Sequence, residues 1–210
     1  MDWITIRRYT KLEHALEILR TRQLTLRPPW DWDDKNDVHF MREFARRTSA
    51  KSLLTLCFAR SEETYHHWAV YAKNEDDVCI EFDETSLQAA TKECGVQFKQ
   101  VSYRDIEDAK NNPPTVGDLP FLKRWPYEPE KEMRMLFLSS TDELNEFRLP
   151  IPLASIRTVY LSPQTKDCYV ESRRSQIKQL GGQNIAVWRT TILDNTDWKS
   201  IASKIDSDKS

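Results

Sequence analysis

Apolar positions along the chain switch between a period of two and a period near 3.6, and these switches mark the expected elements. Residues 3–10 alternate as a strand. Residues 11–23 carry Leu12, Ala15, Leu16 and Leu19 at helical spacing, with Thr10 as the expected cap. A short strand over 24–27 stops at Pro28-Pro29. Residues 30–37 form an acidic loop, and Asn36 and Asp37 are expected to cap a helix running to about Arg47. Further strands are expected over residues 52–59, 78–82, 96–103, 131–138, 148–152, 156–161 and 185–192. Helices are expected over 62–72, over 85–94 with Gly95 as the stop, and over 169–180, closed by Gly181-Gly182. Residues 119–125 read as a helical turn. Residues 104–115, with Asn111-Asn112-Pro113-Pro114, read as a loop or flexible insert. This irregular alternation, without regular βαβ spacing, predicts an α+β fold: a mostly antiparallel, mixed sheet with short helices packed around it. The length fits a single domain over residues 1–203, with a polar tail over 204–210 that frays.

Composition narrows the chemistry. A net charge of −2 argues against a dedicated nucleic-acid arm or a membrane-surface protein. No apolar run approaches the roughly 20 residues of a membrane span. The opening Met1-Asp2-Trp3-Ile4 lacks a signal-peptide pattern, so a cytoplasmic protein is expected. Gly95, Gly117, Gly181 and Gly182 are the only glycines, which excludes a Rossmann fingerprint or a P-loop. Cys57, Cys79, Cys94 and Cys168 form no CxxC pair, so reduced thiols are expected.

Four segments carry candidate chemistry. On a strand, Glu130, Glu132 and Arg134 share one face, and Met133, Met135 and Phe137 the other. Two carboxylates beside an arginine can set different pKa values in one site; the competing reading is an edge strand with a solvated charged face. His67 and Tyr71 share a helix face beside Trp68. They fit either a binding wall or an aromatic core with histidines at its rim. Asp31, Asp33, Asp34 and Asp37 lack calcium-loop spacing, so a solvated, helix-capping loop is the better reading and no metal is expected. On the first strand Arg7 and Arg8 point to opposite faces, and an arginine there either holds a phosphate or lies on the surface.

Short motifs follow one another as Arg8-Tyr9-Thr10, Trp32 to Asp37, Cys57-Phe58, Trp68 to Ala72, Val78 to Asp83, Val101-Ser102-Tyr103, Lys123-Arg124-Trp125, Glu130 to Arg134 and Ile156 to Leu161. In their order these segments resemble the bacterial domain-of-unknown-function family 2971, some of whose members are linked to abortive infection and phage defence. They span about residues 5–192. The chain departs from the family at Trp32-Asp33-Asp34-Lys35, where Phe-Asn-Asp-Pro is usual. The layout also resembles that of toxin-type ADP-ribosyltransferases, in which a first-strand arginine or histidine binds NAD and the second Glu of a late Glu-x-Glu stabilises an oxocarbenium-like transition state. The resemblance implies NAD as substrate, Glu132 as the electrostatic catalyst, Glu130 as the group that orients or deprotonates the acceptor, and Arg134 as the residue that keeps Glu132 ionised. It places Arg8 at the pyrophosphate, and Tyr9, Trp68 or Tyr71 against the nicotinamide. Ser61 stands nearest to the missing Ser-Thr-Ser strand.

Three function classes follow. The first is an ADP-ribosyltransferase-like effector in anti-phage defence or a toxin system, acting on a nucleic-acid or protein acceptor, with a defence-system partner or antitoxin. The second is a non-catalytic nucleotide- or partner-binding module of a defence system. The third is a metal-dependent nuclease using Asp34, Asp37 and Glu132.

Overall fold

The computed structural model describes residues 4–203. In chain order the strands are β1 (Thr5–Lys11), β2 (Gln23–Leu26), β3 (Ser52–Ala59), β4 (Asp77–Asp83), β5 (Gln97–Gln100), β6 (Ser102–Arg104), β7 (Leu122–Arg124), β8 (Glu132–Ser139), β9 (Phe147–Pro150), β10 (Ile156–Leu161) and β11 (Ala186–Arg189). The helices are α1 (Leu12–Thr21), α2 (Lys35–Arg47), α3 (Tyr65–Tyr71), α4 (Glu84–Glu93), α5 (Ile106–Asn111), α6 (Asp167–Gly181) and α7 (Thr196–Ser203). Seven strands form one sheet in the order β11-β10-β4-β1-β3-β8-β5. All neighbours in it are antiparallel except β10 and β11. Two small sheets pair β2 with β9 and β6 with β7. The chain is therefore α+β with a mostly antiparallel, mixed sheet, as its periodicity predicts.

Strand alternation gives the main sheet two unlike faces. One face sends Ile6, Leu54, Leu56, Phe58, Ile80, Phe82, Met133 and Met135 into the main core, where Ala15, Leu19, Leu87 and Ile177 from helices meet them. Gly181 of α6 sits close beside Leu19 of α1 and Ile185. A Cβ there would lie 2.5 Å from Ile185 Cδ1 and 3.0 Å from Leu19 Cδ2. The opposite face carries two separate apolar patches. Met41 and Phe44 of α2 pack on Leu53, Leu136 and Phe121. Trp68 of α3 packs on Ala72 and Cys79, beside Tyr9. Between these patches the sheet presents Arg7, Cys57, Glu132 and Arg134.

Several local expectations are corrected. The first strand begins at Thr5 among the described residues, and Trp3 and the tail 204–210 lie outside them. Thr10 does not cap α1; its hydroxyl lies 3.2 Å from His14 Nδ1. Asp34, rather than Asn36 or Asp37, caps α2, with Oδ1 accepting from the backbone N–H of both. The expected helix over 62–72 starts only at Tyr65, because Thr64 caps it. Residues 104–115 contain α5, which Asp105 caps and which buries no side chain, so it leaves no apolar stripe to read. The turn expected over 119–125 is a 3₁₀ turn at Val116–Phe121 followed by β7. The helix α7 was not anticipated, and it too buries nothing.

Candidate active site

Glu132 and Arg134 lie on β8, which is paired on both sides, with β3 and with β5. The strand is thus not an edge, and its charged face is not solvated: Arg134 is 0% and Glu132 5% exposed. Opposite them on β3 stand the small side chains Ala59 and Cys57, which leave room above the sheet. Glu130 is not on the strand. It ends the 3₁₀ turn Trp125–Glu130, and Lys131, at φ 44°, reverses the chain into β8. A non-glycine residue in that region costs on the order of 1 kcal/mol, so the reversal must be supported by its surroundings. It brings Glu130 to the same buried cluster by another route.

The cluster is closely bonded. Arg134 donates to Asp37 Oδ1 and Oδ2 at 3.0 and 2.6 Å, and to Glu132 Oε1 and Oε2 at 2.7 and 3.1 Å. Its Nη1 also donates to the Pro120 carbonyl at 2.6 Å, and the Trp32 ring covers its guanidinium at 4.9 Å. Lys123 donates to Glu130 Oε2 at 2.7 Å and to Glu132 Oε2 at 3.2 Å. The Tyr71 hydroxyl donates to Glu130 Oε1. With every group ionised, three carboxylates face two cations, leaving one net negative charge.

Burial alone would push Glu132 up, but Arg134 and Lys123 outweigh it and hold the carboxyl at about 2. Asp37 moves the other way, because burial exceeds the pull of Arg134. The Cys57 thiol is pushed well up by burial and by the nearby Glu132 charge. The Tyr71 phenol is pushed up by burial and then by Glu130.

A cavity of about 750 Å³ opens over this cluster. Arg8, Tyr9, Tyr71, Glu130, Glu132 and Arg134 all line it. Arg8 reaches the cavity where β1 and β3 part company: the two strands share only the Arg7↔Ala59 pairing. Beyond it the Arg8 guanidinium donates to the Cys57 carbonyl at 3.0 Å. No carboxylate pairs with Arg8 among the described residues, and desolvation lowers its pKa. Arg7, by contrast, is neutralised by Glu81 at 2.7 Å and reaches Glu62 at 3.3 Å.

Two sequence-predicted residues do not reach the cavity. Trp68 is 2% exposed, and its indole N–H donates to Glu63 at 2.7 Å. It stands edge-on to Tyr9 at 5.2 Å, so it supports the Tyr9 ring and offers no stacking face. Ser61 is buried outside the cavity wall; its carbonyl accepts from Arg7, and its hydroxyl lies 3.5 Å from His67 Nε2. Tyr9 stacks on His67 at 5.3 Å. Asp37, Lys123 and Trp32 complete the cluster. The acidic loop is therefore only partly a solvated cap, since Asp37 is 4% exposed. Among the described residues no group of three or more His, Cys, Asp or Glu is arranged to hold a metal ion. No helix there is long and apolar enough to cross a membrane.

The family described as "Protein of unknown function (DUF2971)" matches residues 67–135, which contain most of α3, Lys123 and the Glu130 to Arg134 segment. The chain thus resembles that family in its central third. No curated protein matches the sequence. Among solved structures, Thermus sp. 2.9 DarT in complex with carba-NAD+ is similar at 13% identity and a TM-score of 0.43, over 90% of this chain and 97% of that one. The same protein in complex with ADP-ribosylated ssDNA is similar at 13% identity and a TM-score of 0.44, over 89% and 94%. Likeness at this level carries no activity across.

Proposed function

We propose that the chain is an ADP-ribosyltransferase-like enzyme that uses NAD as its substrate. The observation that carries this reading is the presence of two unlike groups in the lining of one cavity. One is Arg8, a desolvated guanidinium with no carboxylate partner among the described residues, suited to a phosphate. The other is a buried carboxylate cluster with one net negative charge, suited to a developing cation. Such a cavity fits a dinucleotide whose glycosidic bond breaks to give a positively charged ribose, in a chain with no glycine-rich loop for phosphate.

In this reading Arg8 holds the pyrophosphate, and Tyr9, fixed between His67 and Trp68, lines the path to the ribose. Arg134 and Lys123 keep Glu132 ionised and immobile. Both Glu132 oxygens accept from Arg134, and Oε2 accepts from Lys123 as well, so its charge is fixed in place. Electrostatic help of this kind acts because it is preorganised and needs no rearrangement at the moment of reaction. Nicotinamide leaves as the neutral base. The acceptor is a nucleic acid or a protein, and the setting is an effector of bacterial anti-phage defence or a toxin system, as the family resemblance implies.

A metal-dependent nuclease is less well supported. Asp37 and Glu132 spend their oxygens on Arg134 and Lys123, and Asp34 caps α2. The test is incubation with NAD labelled in its adenylate half, in the presence of separated protein and nucleic-acid fractions. Label transferred to one fraction, with nicotinamide released, is expected. Intact NAD after prolonged incubation with every fraction would contradict the reading.

A further inference from the structure

Tyr71 forms the outer end of the buried charge network. It is 45% exposed, whereas Glu130 is 7% exposed. Protein groups already engage both oxygens of Glu130: Tyr71 donates to Oε1, and Lys123 donates to Oε2 at 2.7 Å. Lys123 then leads inward to Glu132, Arg134 and Asp37. A phenol has one donor and two acceptor lone pairs. The Tyr71 donor is spent on Glu130, and nothing among the described residues donates to its oxygen. With Glu130 nearly buried and each of its oxygens already accepting a hydrogen bond, the outermost acceptor connected to it is the Tyr71 hydroxyl.

We propose that Tyr71 relays the acceptor's proton to Glu130, an assignment that rests on the glycosyl-transfer reading above. The acceptor X–H gives its proton to Tyr71 Oη while the phenolic proton passes to Glu130 Oε1. X forms its bond to the ribose carbon as the bond from that carbon to nicotinamide breaks. The electron pair of the broken bond leaves on the nicotinamide nitrogen and cancels its positive charge. Tyr71 starts and ends as a neutral phenol, and Glu130 holds the net proton. This suits the environment: burial and the Glu130 charge both disfavour a free phenolate. Tyr71 thus works through its hydroxyl rather than as a stacking plate for nicotinamide. Its ring stands tilted beside His67 at a centroid distance of 6.1 Å, which fixes where the hydroxyl points.

The test measures nicotinamide release from NAD by the full chain in water, with and without methanol as a small hydroxyl acceptor. Wild type, Tyr71→Phe and Glu130→Gln are compared in mixtures of light and heavy water. Tyr71→Phe keeps the ring, and thermal unfolding checks that it folds. The expected result is a kcat about 10²-fold lower in both variants, with KM for NAD within about twofold of wild type. The wild-type rate should bow with deuterium fraction, as two protons in motion require, and the Tyr71→Phe rate should not. An unchanged kcat in Tyr71→Phe would overturn the relay and leave glycosyl transfer standing. So would a lowered kcat that still bows, since a hydroxyl that only supports structure gives that pattern. No release by wild type would overturn both.

Discussion

Glu132 is held between opposing forces. Burial favours its neutral form, and two cations favour the charged one; the cations win and the carboxyl sits at about 2, against an ordinary value of 4.5. A depressed folded-state pKa stabilises the protein above the ordinary value and loses that contribution as pH falls from roughly 4.5 toward 2. The shift corresponds to on the order of 3 kcal/mol. Asp37 has the opposite sign: its raised pKa costs stability at neutral pH, and the cost is relieved on acidification. Urea unfolding at pH 7 and pH 3 should therefore show wild type losing more stability than Glu132→Gln between the two. Equal losses would mean that Glu132 is not held ionised. Trp68 belongs to the core, and Trp68→Ala should destabilise the fold by about 3–5 kcal/mol; a change within about 0.5 kcal/mol would refute that packing. The Glu-x-Glu-x-Arg spacing was legible as a charged constellation. Asp37 could be grouped with Glu132 only as a metal ligand; its pairing with Arg134 was not legible, because 97 residues separate the two and only the fold joins them. Asp37 also reads locally as a favourable first-turn acid on α2, a role that hides the buried one.

At the level of elements, β8 decides the character of the site. Alternating charge on a strand is ordinarily a sign of an edge; here β5 pairs along the outer side of β8, while Trp32, Asp37 of α2 and Pro120 cover the charged face. That pairing joins a four-residue strand with little apolar content, so nothing in the local pattern reports it. The strands of the main core were readable from their periodicity. The helices α5 and α7 were not, since neither buries a side chain. Removing one member of a buried ionic group strands the others, at a cost of about 3–5 kcal/mol. Arg134→Met should show that loss in chemical denaturation, and Arg134→Met combined with Asp37→Leu should recover part of it. A single variant as stable as wild type would show that the network is not what secures α2 to the sheet. The loss of a cap is smaller: Asp34→Ala should cost about 1 kcal/mol.

Across the whole molecule, the strand order places β1 and β8 on either side of β3, and the divergence of β1 from β3 sets Arg8 over the same cavity as Glu132. An α+β architecture was legible from the switching periods, but the opening between two strands was not, because β1 and β3 both read as continuous runs. Arg8→Gln should leave the fold intact and weaken NAD binding by roughly 10- to 100-fold, the worth of a hydrogen bond to a charged group. Unchanged affinity by calorimetric titration would remove Arg8 from the binding site. We propose that Glu132 supplies charge to a breaking glycosidic bond. The most direct test is the rate of nicotinamide release from NAD by wild type and by Glu132→Gln, at equal concentrations of folded protein. Release by wild type is expected, with a rate about 10²- to 10³-fold lower in the variant, because the substitution keeps the shape of the side chain and removes only its charge. Equal rates in the two proteins, or no release by either, would contradict it.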